Sequence, residues 1–156
     1  MKKVLITGSS SGIGKATAEL FLKNDVPVVG IARQHKKFIH KSRLYEPIEA
    51  DLSLIESLPK LITTILKEHP DIDVFIGNAG YGDFQSIENF SANQIQNFLN
   101  LNLISHITLC RFIVSHMKYE KNGTIFFIGS ESGLVGKKNC LLYTSDAADE
   151  RLSVDV

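Results

Sequence analysis

The stretch Thr7-Gly8-Ser9-Ser10-Ser11-Gly12-Ile13-Gly14 constrains this chain more than any other. It follows the apolar, β-branched run Val4-Leu5-Ile6 and precedes a helical pattern from Ile13 to Leu22, so a strand passes through a glycine turn directly into a helix. Such a junction points the first amides of the helix, and the partial positive charge of its N-terminus, at whatever lies over the turn. The glycines have separable tasks: one permits the tight turn, one lets backbone approach an anion, and one lets the helix pack closely on the strand. A phosphate loop of the GxxxxGK[ST] kind is excluded by spacing, since its first glycine falls on Ser9 and its hydroxyl residue on Ala16.

Strand and helix patterns then alternate. Asn24-Asp25 and Pro27 stop the first helix, and Val28 to Ala32 read as a second strand. A basic stretch runs from Arg33 to Arg43, and His35 to Arg43 within it read as a solvated loop. Ile48 to Ala50 read as a short third strand ending at Asp51, with Ser53 able to cap a helix reaching about Glu68. Val74-Phe75-Ile76 read as a fourth strand, closed by Gly77-Asn78-Ala79-Gly80. A helical region from about Ser91 to Met117 leads through the Asn122-Gly123 turn to a fifth strand, Thr124 to Ile128. This alternation predicts an α/β fold with a doubly wound parallel sheet, because parallel neighbours need long, right-handed crossovers.

The chain has 156 residues, enough for one core, and its 44% apolar and 22% charged content is that of a globular domain. Lysine plus arginine balances aspartate plus glutamate at 17 each, so no overall field selects nucleic acid or a membrane surface, and neither is expected as a partner. Cys110 and Cys140 lack metal-ligand or CxxC spacing, which fits the reducing cytoplasm, and no metal site is expected. The apolar run at the N-terminus is too short for a signal peptide. His106 and His116 lie on the long helical region without ligand partners at suitable spacing, and Phe126-Phe127 read as strand core.

Thr7-Gly8 through Gly14 matches the TGxxxGIG pattern, and on it the chain resembles the classical short-chain dehydrogenases/reductases. Further motifs fall in the family's order: Asp51-Leu52 after the third strand, Asn78-Ala79-Gly80 after the fourth with Gly77 in place of the commoner asparagine, and Asn102 within Leu101-Asn102-Leu103. The resemblance implies a Rossmann fold that binds a nicotinamide dinucleotide. Gly8, Ser10, Ser11, Gly12, Ile13 and Gly14 would surround the pyrophosphate, Asp51 and Leu52 the adenine, and Asn78, Ala79 and Gly80 the rest of the cofactor. NAD binders place an acid at the end of the second strand to accept from the ribose hydroxyls. Here Ala32 stands in that place and Arg33 follows, a guanidinium suited to a 2′-phosphate, so NADP(H) is expected over NAD(H).

The resemblance also implies hydride transfer between nicotinamide and a carbonyl or alcohol carbon, with a tyrosine handling the oxygen-bound proton. A free phenol has a pKa of about 10, so a neighbouring ammonium is needed to favour phenolate. Ser130, after the fifth strand, resembles the family serine, with Ser132 as an alternative. Tyr143, at the family's customary interval from Ser130, resembles the catalytic tyrosine, and Asn102 the asparagine that holds a relay water. Ala147 stands where the lysine is expected, beside Asp146 and Asp149, so the site as written should be nearly inert. Cys140 to Asp149 can be encoded by a nucleotide stretch resembling the transposase adaptor of sequencing libraries. Residues 1–139 are therefore expected to be an incomplete dehydrogenase domain, truncated after about the fifth strand, and residues 140–156 a non-native tail. The parent is expected to be a cytoplasmic oxidoreductase, homo-oligomeric, acting on a small carbonyl or alcohol. The competing reading is a Rossmann module that binds the dinucleotide without catalysis.

Overall fold

Apolar runs bounded by turn residues form the strands of this protein, whose computed structural model describes residues 2–35 and 42–130. Five strands, β1 (Lys3–Thr7), β2 (Val28–Ala32), β3 (Tyr45–Glu49), β4 (Ile72–Gly77) and β5 (Thr124–Phe127), make one sheet in the order β3-β2-β1-β4-β5. Every neighbouring pair is parallel. Helices α1 (Gly12–Lys23), α2 (Leu58–Glu68), α3 (Ala92–Leu99) and α4 (Ser105–Glu120) supply the crossovers. Strand order reverses between β1 and β4, which opens a crevice at the carboxyl ends of the strands, as in a doubly wound Rossmann sheet.

Strands β1, β2 and β4 send successive side chains to opposite faces and are buried on both. Val4, Ile6, Val28, Val74 and Ile76 pack with Ala18 and Leu22 of α1. Leu5, Val29, Ile31 and Phe75 face the other way, against Leu58, Ile62 and Ile65 of α2 and Leu109, Ile113 and Met117 of α4. On α1 the buried stripe is Gly14, Ala18 and Leu22, one residue per turn, whereas Ile13 and Leu20 point outward. The helical span Ala92–Glu120 has the length and apolar content to cross a bilayer, while Leu109 and Ile113 within it are fully buried against the sheet.

Several expectations are corrected in detail. The third strand begins at Tyr45, earlier than the apolar pattern suggests, since its Glu46 and Glu49 face solvent and hide the strand signal. Ser53 does not cap a helix: its hydroxyl donates to Asp51 Oδ1 at 2.7 Å, a single 3-10 turn (Ile55–Ser57) follows, and α2 starts at Leu58 with Pro59 in its first turn. The long helix is interrupted by a π turn at Asn100–Ile104. Ser91 caps α3 as a capping box with Gln94, and Lys121 in the left-handed conformation ends α4. Tyr143, Ala147, Ser132 and the whole segment 140–156 lie outside the described residues.

Candidate functional site

The glycine turn is held by its own backbone demands and by β4. Gly8 (φ +69°) and Gly12 (φ +51°) occupy the left-handed region that a Cβ disfavours. At Gly14 the constraint is contact, because a Cβ there would strike the Gly8 carbonyl. Gly14 thus packs the helix onto the turn and does not line the cleft, whereas Gly8, Ser10, Ser11, Gly12 and Ile13 do. Ser11 is the extended N-cap of α1, yet its side chain makes no capping hydrogen bond and the first turn has no acidic residue. The helix N-terminus therefore keeps its positive end uncompensated from within, the condition an anion site requires.

Thr7 joins the first motif to the fourth-strand motif. Its hydroxyl oxygen accepts from the backbone N–H of Asn78 at 2.9 Å and of Ala79 at 3.0 Å, and its hydroxyl donates to the Ile76 carbonyl at 3.4 Å. In return Asn78 Nδ2 donates to the Thr7 carbonyl at 2.9 Å and the Gly8 carbonyl at 3.4 Å. The side-chain amide of Asn78 is thus engaged in bracing the turn. Asn78, Ala79 and Gly80 line the cleft above this brace.

Arg33 leaves the end of β2 exposed and lines the opposite rim with Ala32. Leu52 is buried and forms part of the cleft wall beside it. Asp51 is not part of that wall: its Oδ1 accepts from the Ser53 backbone N–H and hydroxyl. Those bonds, the hydroxyl above all, hold its carboxyl below the usual carboxylate range against an opposing desolvation, with the Arg33 guanidinium adding to the effect.

Asn102 sits in the π turn and spends both ends of its side chain locally. Oδ1 accepts from the Tyr81 backbone N–H at 3.0 Å, Nδ2 donates to the Phe98 carbonyl at 2.9 Å, and Oδ1 fills the space a Gly80 side chain would need. Its carbonyl accepts from His106 Nδ1 at 3.2 Å, which leaves His106 Nε2 3.5 Å from Thr7 Oγ1. Burial pushes the His106 imidazole below 6.5, with the bond to Asn102 pulling the other way. Gly77 explains itself here: a side chain would collide with the Phe127 and His106 rings, which meet edge to face at 6.0 Å. Ser130, exposed after β5, reaches the same cleft as Asn102.

These elements enclose one open cleft of about 1270 Å³. Sequence reasoning missed its apolar side, Tyr81, Phe84, Leu103 and Ile107, all of them exposed. The available signal was their proximity in sequence to Gly80 and Asn102. Thr7 and His106 likewise have roles that no local pattern signals, the first as a brace to β4 and the second as a wall residue. Among the described residues no group of three or more His, Cys, Asp or Glu could hold a metal ion.

Residues 2–148 match the family model for short chain dehydrogenase, a span that takes in Tyr143. A 3-ketodihydrosphingosine reductase of Bacteroides thetaiotaomicron is 29% identical over 85% of this chain and 48% of its own length. Two solved structures share the fold: ElxO with NADP bound, at TM-score 0.81 and 29% identity over 92% of this chain and 61% of that one, and a 4-hydroxyisoleucine dehydrogenase complexed with NADH and succinate, at TM-score 0.84 and 25% identity over 93% and 64%. The chain spans about half the length of curated relatives of this kind.

Proposed function

Because the chain belongs to the short chain dehydrogenase family, we propose that it is the cofactor-binding part of an NADP(H)-dependent oxidoreductase that moves a hydride between nicotinamide and a carbonyl or alcohol carbon. The observation that carries the cofactor choice is the rim at the end of β2, where Ala32 and the exposed Arg33 face the cleft and, among the described residues, no acid does. A 2′-phosphate there would pair with the guanidinium, whereas an aspartate would repel it. Solved relatives carry NADP in one case and NADH in another, so the preference rests on this residue alone.

The residues present fit such a cofactor. The uncapped start of α1 and the open space over Gly12 suit a pyrophosphate, Leu52 and Ala79 offer apolar surface to the adenine, and Arg33 closes the ribose end. When bound, the nicotinamide supplies or accepts the hydride. In this reading Ser130 hydrogen-bonds the substrate oxygen, Tyr143 holds the proton at its hydroxyl, and Asn102 positions the loop at Tyr81 through its side chain. With Ala147 in place of an ammonium, Tyr143 lacks support for its phenolate, and this chain turns over little or not at all. That same alanine favours the second reading, a dinucleotide-binding module without catalysis. The natural sequence after Asn139 decides between them: the enzyme reading requires a tyrosine followed one helical turn later by lysine. We place the parent in the cytoplasm as a homo-oligomer acting on small molecules, with residues 1–139 as its dehydrogenase portion.

The direct test is calorimetric binding of NADP+ and NAD+ to the chain and to Arg33→Asp. The wild type should favour NADP+ by roughly tenfold or more, equivalent to about 1.4 kcal/mol, and the variant should reverse the order. An unchanged NADP+ preference in Arg33→Asp overturns the assignment.

A further inference from the structure

Beneath the glycine turn lies a file of buried polar groups that the proposed chemistry does not use. Ser9 Oγ is 2.9 Å from the Tyr45 hydroxyl, the Tyr45 hydroxyl is 3.2 Å from His35 Nδ1, and His35 Nε2 is 3.2 Å from the Ile48 carbonyl. Ser9 is fully buried, and Tyr45 and His35 are each 8% exposed. The Ile48 carbonyl can only accept, so in the neutral ring Nε2 carries the proton and Nδ1 accepts. The Tyr45 hydroxyl then donates to Nδ1, and its oxygen is left to accept from Ser9. The backbone N–H of His35 adds a bond to Glu49 Oε1 at 3.3 Å.

Both ends of this file reach cofactor subsites. Ser9 lies within the turn, between the cleft residues Gly8 and Ser10, and His35 lies two residues after Arg33 on the arm that leaves β2. The sheet makes room for the connection at Gly30, where a Cβ would overlap the Tyr45 hydroxyl and Ser9 Oγ. Buried hydroxyls and an imidazole are an expensive way to fill such space, and they repay that cost only by fixing geometry. A dinucleotide presents its 2′-phosphate and its pyrophosphate at a separation set by one ribose. Arg33 can meet the first only if its backbone stands at the right distance from the turn that meets the second.

Building on the NADP(H) reading above, we propose that Ser9, Tyr45 and His35 form a latch that determines cofactor specificity by fixing the Arg33 arm against the glycine turn. These are positioning residues, and none needs to touch the cofactor through its side chain. Releasing the latch loosens the arm while leaving the turn on α1, so NADP+ loses affinity and NAD+, which makes no use of the guanidinium, loses little.

The test measures dissociation constants of NADP+ and NAD+ by calorimetry, with melting temperature, for the full chain and for Tyr45→Phe, His35→Phe and His35→Asn. Tyr45→Phe and His35→Phe should lower the NADP+/NAD+ preference by about fivefold or more, the usual floor for coupling between sites. His35→Asn keeps an acceptor for the Tyr45 hydroxyl and should retain most of the preference. Equal weakening of both cofactors, an unchanged preference, or identical behaviour of His35→Asn and His35→Phe overturns the latch while leaving the Arg33 assignment standing. If the Tyr45 and His35 variants fail to fold, Gly30→Ala, which pushes on the file from the side, must shift the preference in the same direction, and a preserved preference there overturns the proposal. A wild type that does not favour NADP+ removes the reading on which the latch rests, and the latch with it.

Discussion

Strands β2 and β5 are both rich in apolar and β-branched residues, Val-Val-Gly-Ile-Ala against Thr-Ile-Phe-Phe, yet β2 is buried along its whole length and β5 is largely exposed. The difference is position. β2 pairs on both sides and has helices over it, while β5 pairs with β4 on one edge among the described residues, with Phe126 and Phe127 each more than half exposed. The cleft inherits this asymmetry: its β1–β2 side rests on the bonded Ser9, Tyr45 and His35 side chains, and its β5 side ends in Ile128 and Ser130 facing solvent. Apolar composition says that a strand belongs in a sheet, and only its neighbours decide whether it is core or edge.

Two rings that touch each other across this boundary offer the sharpest contrast. Phe75 is fully buried and Phe127 is 55% exposed, with ring centroids 6.2 Å apart. Urea unfolding of Phe75→Ala should show a loss of about 3–5 kcal/mol. Phe127→Ala should cost about a third of that or less, since the half-exposed ring has less transfer energy to lose. Equal losses would abolish the distinction between the two sides. Next in size is Thr7→Val, which strands the N–H groups of Asn78 and Ala79 beside an isosteric methyl and should cost about 1–3 kcal/mol by the same measurement. A neutral result there would mean that the brace between turn and β4 does not hold the cleft.

The smallest effect is one of pH. His106 has a folded pKa below 6.5, so between that lowered value and 6.5 the unfolded chain binds more protons than the folded one. Stability contributed by the neutral ring is therefore complete above 6.5 and falls away as the solution is acidified through that window. Melting temperature followed from pH 7.5 downward should drop less steeply in His106→Phe than in the wild type across it, and parallel curves would refute the assignment.

Much of the architecture was legible because it rests on local patterns. The run before Thr7, the glycines after it and the turn after Ile76 each announce themselves within a few residues, and the structure places them at one end of one sheet. What escaped notice depends on partners distant in the chain. Nothing near Tyr45 suggests that its hydroxyl lies between Ser9 and His35, and nothing near Gly77 suggests the rings of His106 and Phe127. Ser53 has the residue type of a helix cap, but a carboxylate two positions earlier competed for it and won. The π turn at Asn100–Ile104 has no signature in apolar periodicity. It shows in the backbone, where the Ser105 N–H donates five residues back to the Asn100 carbonyl. The catalytic tyrosine expectation, at Tyr143, falls on residues the structure does not describe.

The bonds between Thr7 and the Asn78-Ala79 segment have a consequence for how a ligand would be received. Two loops from separate strands move as one rigid sill, so their backbone freedom is surrendered when the chain folds and not when a dinucleotide arrives. The entropic cost of association falls accordingly, and what remains to be ordered on arrival is the solvent-facing Arg33 side chain.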